Sequence, residues 1–371
     1  MSRPSPCKAY PEQMAKSKMA PAPEADLRLD VLMHLSNLPG VPGQEDAVRD
    51  FVLVELDGLT DDVRVDALGN VIATRSGSGG KKAKRERVMV SAHMDEIGFL
   101  VRFIDERGFL RVQALGGFDT RNLFARDVTV HARGGALPGI MTPGGKPIHI
   151  SSAEERKKIP EVKEFFIDLG LDAEEVKRRV RVGDMVTLDH TARRVGSLVC
   201  GKAMDDRASV FMLLEVLRHF RKTPPKHDLI AVFSVQEEVG LRGAITAAYG
   251  VEPTVGIGLD VTLAVDTPGV SPDEAVTRMG EGIGIKVFDS SMISTRSLVD
   301  EFYDLAESRG IHAQMEVLAA GGTDGAAIQR SRAGVPTLTL SLPTRYIHSV
   351  VESVHVDDLR SGVDLLVAYL E

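Results

Sequence analysis

Four apolar runs in this chain lead into residues that a buried core cannot use. Asp228-Leu-Ile-Ala-Val-Phe-Ser-Val-Gln runs into Glu237 and Glu238, Val88-Met-Val-Ser-Ala into His93, Val255-Gly-Ile-Gly-Leu into Asp260, and Thr337-Leu-Thr-Leu-Ser-Leu toward His348. Runs this apolar read as strands covered on both faces, the pattern of a parallel sheet between helices. Ligands of open α/β sheets bind beyond the carboxyl ends of their strands. The polar residues at those ends are therefore candidates for chemistry.

Helical periodicity supplies the covering layers. Leu27, Leu29, Val31, Leu32 and Leu35, then Ala47, Val48, Phe51, Val52 and Leu56, predict two helices flanking the turn Leu38-Pro-Gly-Val-Pro-Gly. Further helices are predicted over Arg207–Phe220 and Leu298–Ser308. Strands alternating with helices give an α/β fold with a central, mostly parallel sheet.

The texture changes between about Val101 and Val195. Short alternating stretches such as Phe109-Leu-Arg-Val-Gln, Asp127-Val-Thr-Val-His and Asp184-Met-Val-Thr-Leu are separated by Gly-Gly and Pro-Gly turns, which predicts a small antiparallel barrel. The expected organisation is an N-terminal extension over 1–25, a catalytic unit over 26–100 and 196–371, and an inserted β-barrel over 101–195. The Gly- and Lys-rich stretch from Arg75 to Arg87 reads as a solvated hairpin loop.

Composition narrows the function. A net charge of −8 without a basic, aromatic-laced stripe argues against nucleic acid as a partner. Two cysteines, Cys7 and Cys200, are too few for a disulfide framework or a thiolate zinc site. No signal peptide or membrane span is visible, so a cytoplasmic protein with no membrane partner is expected.

His93, Asp205, Glu238, Asp260 and His348 are the candidate metal ligands, four from strand ends and Asp205 from a loop before a helix. Two imidazoles with a surplus of carboxylates suit two divalent ions, with Zn, Co and Mn all compatible. Each residue has a plainer reading: Asp205-Asp206 as a helix N-cap, Asp260 as a turn, His348 and the glutamate pair as solvated surface. Their conjunction at several strand ends favours the metal reading. Asp95, two residues beyond His93, is placed to accept a hydrogen bond from its imidazole. His131, His149, His190 and His355 lack such company. No nucleophile elbow, phosphate loop or His-Glu-x-x-His helix is present.

The strings Ala92-His-Met-Asp-Glu-Ile-Gly98, Gly201-Lys-Ala-Met-Asp-Asp-Arg207, Gln236-Glu-Glu-Val-Gly-Leu-Arg-Gly-Ala244, Gly321-Gly-Thr-Asp-Gly325 and Arg345-Tyr-Ile-His-Ser349 resemble the tetrahedral (TET) aminopeptidases. These are dinuclear metallopeptidases, some of which carry an endoglucanase label. The resemblance runs from about residue 30 to the C-terminus. It implies a three-layer zinc-peptidase-like domain interrupted by a β-barrel dimerisation domain, and dimers that assemble into a hollow dodecamer. It also implies two metal ions per subunit, zinc first among the candidates. Asp205 would bridge them, with His93 and Asp260 completing one site and Glu238 and His348 the other.

Glu237 matches the general base of that family, and Asp95 the residue supporting the first histidine. The expected reaction is removal of N-terminal residues from short peptides with a free N-terminus, through a metal-activated water. A glycoside hydrolase or a non-catalytic assembly protein are the alternatives. Asp324 is a candidate contact for the substrate amine, or simply a turn aspartate. Three features depart from the family pattern: the N-terminal extension, the expanded loop at 75–87, and Val350 where proline is usual.

Overall fold

The structure, a computed structural model, describes residues 27–79 and 86–371. The expected extension at 1–25 and the middle of the basic loop, 80–85, lie outside the described residues.

Four parallel strands form the centre of an eleven-stranded sheet: β1 (Arg87–His93), β2 (Asp228–Ser234), β3 (Val255–Leu263) and β4 (Thr337–Arg345), in spatial order β2-β1-β3-β4. Antiparallel strands extend it on both flanks, Val71–Arg75 beside β2 and Glu352–His355 beside β4. The strand Ile283–Phe288 branches antiparallel from β4 and carries Ala313–Val317 in parallel.

The near-continuous apolar runs have a simple cause. Leu229, Ala231 and Phe233 of β2 face the large core beneath the helix Met204–His219, while Ile230 and Val232 face Ala247, Ala248 and Val251 of the helix Arg242–Val251 and Ile328 of the helix Asp324–Gln329. Successive side chains point to opposite faces and both faces are covered, so no position of β2 profits from polarity. Each fully buried large side chain contributes about 1.5–3 kcal/mol.

Six antiparallel strands, Gly98–Ile104, Leu110–Leu115, Arg126–Ala132, Gly135–Pro143, Phe165–Asp168 and Met185–Leu188, close into a barrel. Phe99, Val101, Leu110, Val112, Val128, Val130, Phe165 and Ile167 fill its interior from alternate positions. Closure pairs every strand on both sides and leaves no sheet edge to aggregate. The charged stretch after Leu171 forms the helix Ala173–Arg179, whose N-cap Asp172 accepts a hydrogen bond from the Glu175 amide at 2.9 Å. Val350 packs into the barrel core.

Two strand ends differ from the sequence expectation. β2 stops at Ser234, and Glu237 and Glu238 follow in a turn entered through Gln236 at φ 58°. β3 continues past Asp260 to Leu263, because β4 stays paired with it as far as Leu263↔Thr344. β1 leaves β3 at Gly258. Asp260 therefore lies within a strand, beside a gap at the carboxyl edge of the sheet.

Candidate metal centre

β1 delivers His93 as its last residue. Its Nδ1 lies 3.0 Å from the backbone oxygen of Asp95 and 3.4 Å from the Asp95 carboxylate. With Nδ1–H donated to that oxygen, the lone pair of Nε2 faces the site. The Asp95 carboxylate has a second task, accepting the Glu237 amide at 3.0 Å and the Glu238 amide at 3.1 Å. One side chain thus couples the end of β1 to the glutamate pair beyond β2.

Asp205 joins two clusters. Its Oδ1 is 3.1 Å from His93 Nε2 and its Oδ2 is 3.4 Å from His348 Nε2. His348 Nε2 is also 3.5 Å from Glu238 Oε1, and Glu237 Oε2 is 3.9 Å from His93 Nε2. Ligand atoms of Asp205, Glu238 and His348 lie within 4.8 Å of one another, as do those of His93, Asp206 and Asp260 and those of His93, Glu237 and Glu238. All five residues expected as ligands, and Glu237 and Asp95 with them, are brought together.

The centre is an excess of buried negative charge. Burial, and after it the charge of Asp260, pushes the carboxyl of Asp206 well above the usual range; Asp260 is raised well above it by burial and by Asp205. Glu237 is likewise raised well above its ordinary value, by burial and then by Asp260 and Glu238, and Glu238 is raised by burial. Asp205 goes the other way. Burial opposes its charge, yet the neighbouring imidazoles of His348 and His93 hold its carboxyl below the carboxylate range. Burial likewise opposes charge on His348, but the neighbouring carboxylates of Asp205 and Glu238 push it up to about 11.

Asp206 Oδ1 and Glu238 Oε1 are buried without a hydrogen-bond partner. Orphaned carboxylate oxygens beside two imidazole nitrogens are the donor set of a divalent-cation site, and cations would offset the repulsion. The residues fit the metals.

Sequence reasoning left out two participants. Asp206 accepts a hydrogen bond from the His93 amide at 3.2 Å and stands with His93 and Asp260. The doubled Asp205-Asp206, parallel to Glu237-Glu238, was the available signal. Both aspartates have non-helical backbone angles, and the Asp206 side chain accepts the His93 amide from across the sheet edge. Glu352, almost wholly buried, accepts the His348 amide at 2.7 Å and the Asp205 amide at 3.0 Å. His348 sits at φ 60°, a conformation non-glycine residues seldom adopt, and Glu352 helps hold it there. Burial and the charge of Asp205 push Glu352 up to about 8.

Asp324 does not face the centre's cavity. It is buried on the first turn of the helix Asp324–Gln329, accepting hydrogen bonds from Ser91 Oγ at 2.6 Å and from Ser234 Oγ. The barrel also reaches the centre: a Cβ on Gly116, at φ +83°, would fall 2.9 Å from Glu238 Oε2 and 2.6 Å from Ile97 Cγ2, so only glycine fits. A cavity of about 460 Å³ opens onto Asp205, Glu237, Glu238, Asp260 and His348. No described helix is long and apolar enough to cross a membrane.

Residues 69–365 match the family model described as M42 glutamyl aminopeptidase. The lysyl aminopeptidase of Pyrococcus furiosus is 32% identical over 348 residues, covering 92% of this chain and 96% of that protein. An aminopeptidase from the archaeon Desulfurococcus kamchatkensis has a similar structure, with a TM-score of 0.86 and 37% identity over 92% of this chain and 94% of the other. A Pyrococcus horikoshii TET1 peptidase, which can assemble into a tetrahedron or a large octahedral shell, is 32% identical with a TM-score of 0.82 over 92% of this chain and 98% of its own. The chain belongs to the M42 aminopeptidase family of peptide hydrolases.

Proposed function

We propose that this chain is a dinuclear metallo-aminopeptidase that removes the first residue of short peptides with a free N-terminus. The observation that carries the proposal is Asp205, whose two carboxylate oxygens face His93 and His348 in adjoining clusters. Asp205 would then serve both ions. His93 and Asp260, with Asp206 beside them, would hold one, and Glu238 and His348 the other. Zinc, cobalt or manganese would suit these ligands. Two such cations, when bound, lower the pKa of water and polarise a carbonyl.

The chain's own residues do the rest. Glu237 takes a proton from the attacking water at a carboxylate oxygen and returns it to the nitrogen of the leaving amine. Burial makes its carboxylate a stronger base than a solvated one. Asp95 fixes the backbone of Glu237 and Glu238 and orients His93.

The test is a metal analysis followed by assays on free-amine and N-blocked aminoacyl amides, with and without chelator. Activity is expected on free-amine substrates alone, lost on chelation and restored by zinc, cobalt or manganese. Glycosidase activity that survives chelation, or turnover of blocked amides only, would overturn the reading.

A second expectation concerns Glu352. Glu352→Gln leaves one amide N–H facing the NH₂ group instead of an acceptor, so metal affinity falls about 10- to 100-fold, as for other groups that orient metal ligands. Competition titration of zinc against a chromophoric chelator measures it, and an unchanged affinity would remove Glu352 from this role.

Assembly and location belong to the same proposal. The barrel exposes Phe103, Phe124, Ile140 and Val182, apolar surface suited to dimerisation, and the assembly of the Pyrococcus horikoshii relative supports a dodecamer built from dimers. Sedimentation of purified protein decides the oligomeric state. A cytoplasmic location, with no nucleic-acid or membrane partner, follows from the composition.

A further inference from the structure

The same cavity is a pocket lined also by the aliphatic side chains of Leu241, Leu263, Leu318 and Ile347. Among the described residues, Lys286 is the only charged lining residue besides Asp205, Glu237, Glu238, Asp260 and His348. It is not free. Its Nζ lies 2.6 Å from Glu316 Oε1 and 3.8 Å from Asp289 Oδ2, and the side chain is 1% exposed. Glu316 Oε1 also accepts a hydrogen bond from Thr262 Oγ1 at 2.6 Å, and neither Glu316 nor Asp289 lines the cavity.

We infer that this pocket selects an uncharged, apolar first side chain of leucine, methionine or phenylalanine type; the inference rests on the aminopeptidase reading. A glutamyl side chain would find in Lys286 an ammonium already paired with the buried Glu316 at 2.6 Å. A lysyl side chain would bring a second ammonium beside Lys286 and find no carboxylate in the pocket outside the metal centre. Either would give up hydration for no comparable partner, which is costly. An apolar side chain trades water for the four aliphatic walls and loses nothing. The preference differs from the lysyl specificity named for the Pyrococcus furiosus relative.

Two measurements on the full-length, metal-loaded enzyme test this. The first compares kcat/KM for leucyl, methionyl, phenylalanyl, glutamyl and lysyl amides; the apolar substrates are expected to lead by about 10²-fold. The second measures calorimetric binding of free L-leucine, L-glutamate and L-lysine, with leucine expected to bind most tightly. Turnover led by glutamyl or lysyl amide overturns the pocket assignment and leaves the aminopeptidase standing. No turnover of any amide while leucine binds preferentially supports the pocket and overturns the aminopeptidase. Equal binding of all three amino acids overturns the pocket.

Leu263→Arg, on a partly exposed strand end, tests the wall directly. It is expected to lower the leucyl-to-glutamyl ratio at least about tenfold. An unchanged ratio in the folded variant counts against the wall.

Discussion

Replacing Glu237 with glutamine lowers kcat by about 10²- to 10⁴-fold and leaves the metal content unchanged, because glutamine keeps the shape and one acceptor oxygen but cannot carry a proton. The side chain stands where the role requires: its Oε2 is 3.9 Å from His93 Nε2, and its backbone is clamped by Asp95 at 3.0 Å. Glu238→Ala, one residue along, has a different signature. It removes the oxygen facing His348, so metal content falls together with activity. Elemental analysis beside steady-state kinetics separates the two variants. A fully active Glu237→Gln enzyme would end the proton-carrier assignment, and a Glu238→Ala protein with both metals would end the ligand assignment.

The largest effect on stability is expected at Arg207, the bulkiest fully buried side chain among the described residues. Its guanidinium donates to the backbone oxygens of Met94 at 2.6 Å, Leu35 at 2.7 Å, Leu38 at 3.1 Å and Gly40 at 3.4 Å, with Glu96 Oε1 at 3.7 Å. It thereby fastens the end of the helix Leu29–Asn37 and the following turn to the segment just after His93. Arg207→Ala leaves those carbonyls without their donor in a place water does not reach and opens a cavity. The expected loss is about 3–5 kcal/mol, as for breaking other buried charged networks. Arg207→Lys recovers only part of it, since one ammonium cannot reproduce a planar fork. Urea denaturation of the three proteins measures this, and a loss below about 1 kcal/mol for alanine would show that the turn is held by its other contacts.

Much of the site was legible because its chemistry stands where apolar runs stop. His93, Glu238 and His348 follow strands whose burial on both faces makes any charged continuation conspicuous, and the doubled glutamates mark the tip of β2. Asp260 was found although the strand was read too short. The sequence shows where the apolar residues end, while the end of pairing depends on how long β4 accompanies β3.

Asp206 and Glu352 were not legible for a related reason. An aspartate beside another aspartate reads as helix-cap chemistry, and a lone glutamate after His348 reads as surface. Their value comes from partners 113 and 147 positions away, the His93 and Asp205 amides. Asp324, a candidate contact by motif, is buried and accepts hydrogen bonds from Ser91 and Ser234, partners that its glycine-rich surroundings in the sequence do not reveal.

The sequence by itself pointed to the α/β class, the barrel between two stretches of strand and helix, the aminopeptidase family, and the candidate residues of its site. These are local properties: the period of apolar residues sets the elements, and residue type sets what a side chain can bind or protonate. The tertiary structure decided which carboxylates share a cluster, which backbone amides hold them, and whether a charge in the pocket is available. Lys286 is one lysine among many in the sequence and a pocket residue paired with a carboxylate in the fold, because only folding sets Glu316 2.6 Å from it.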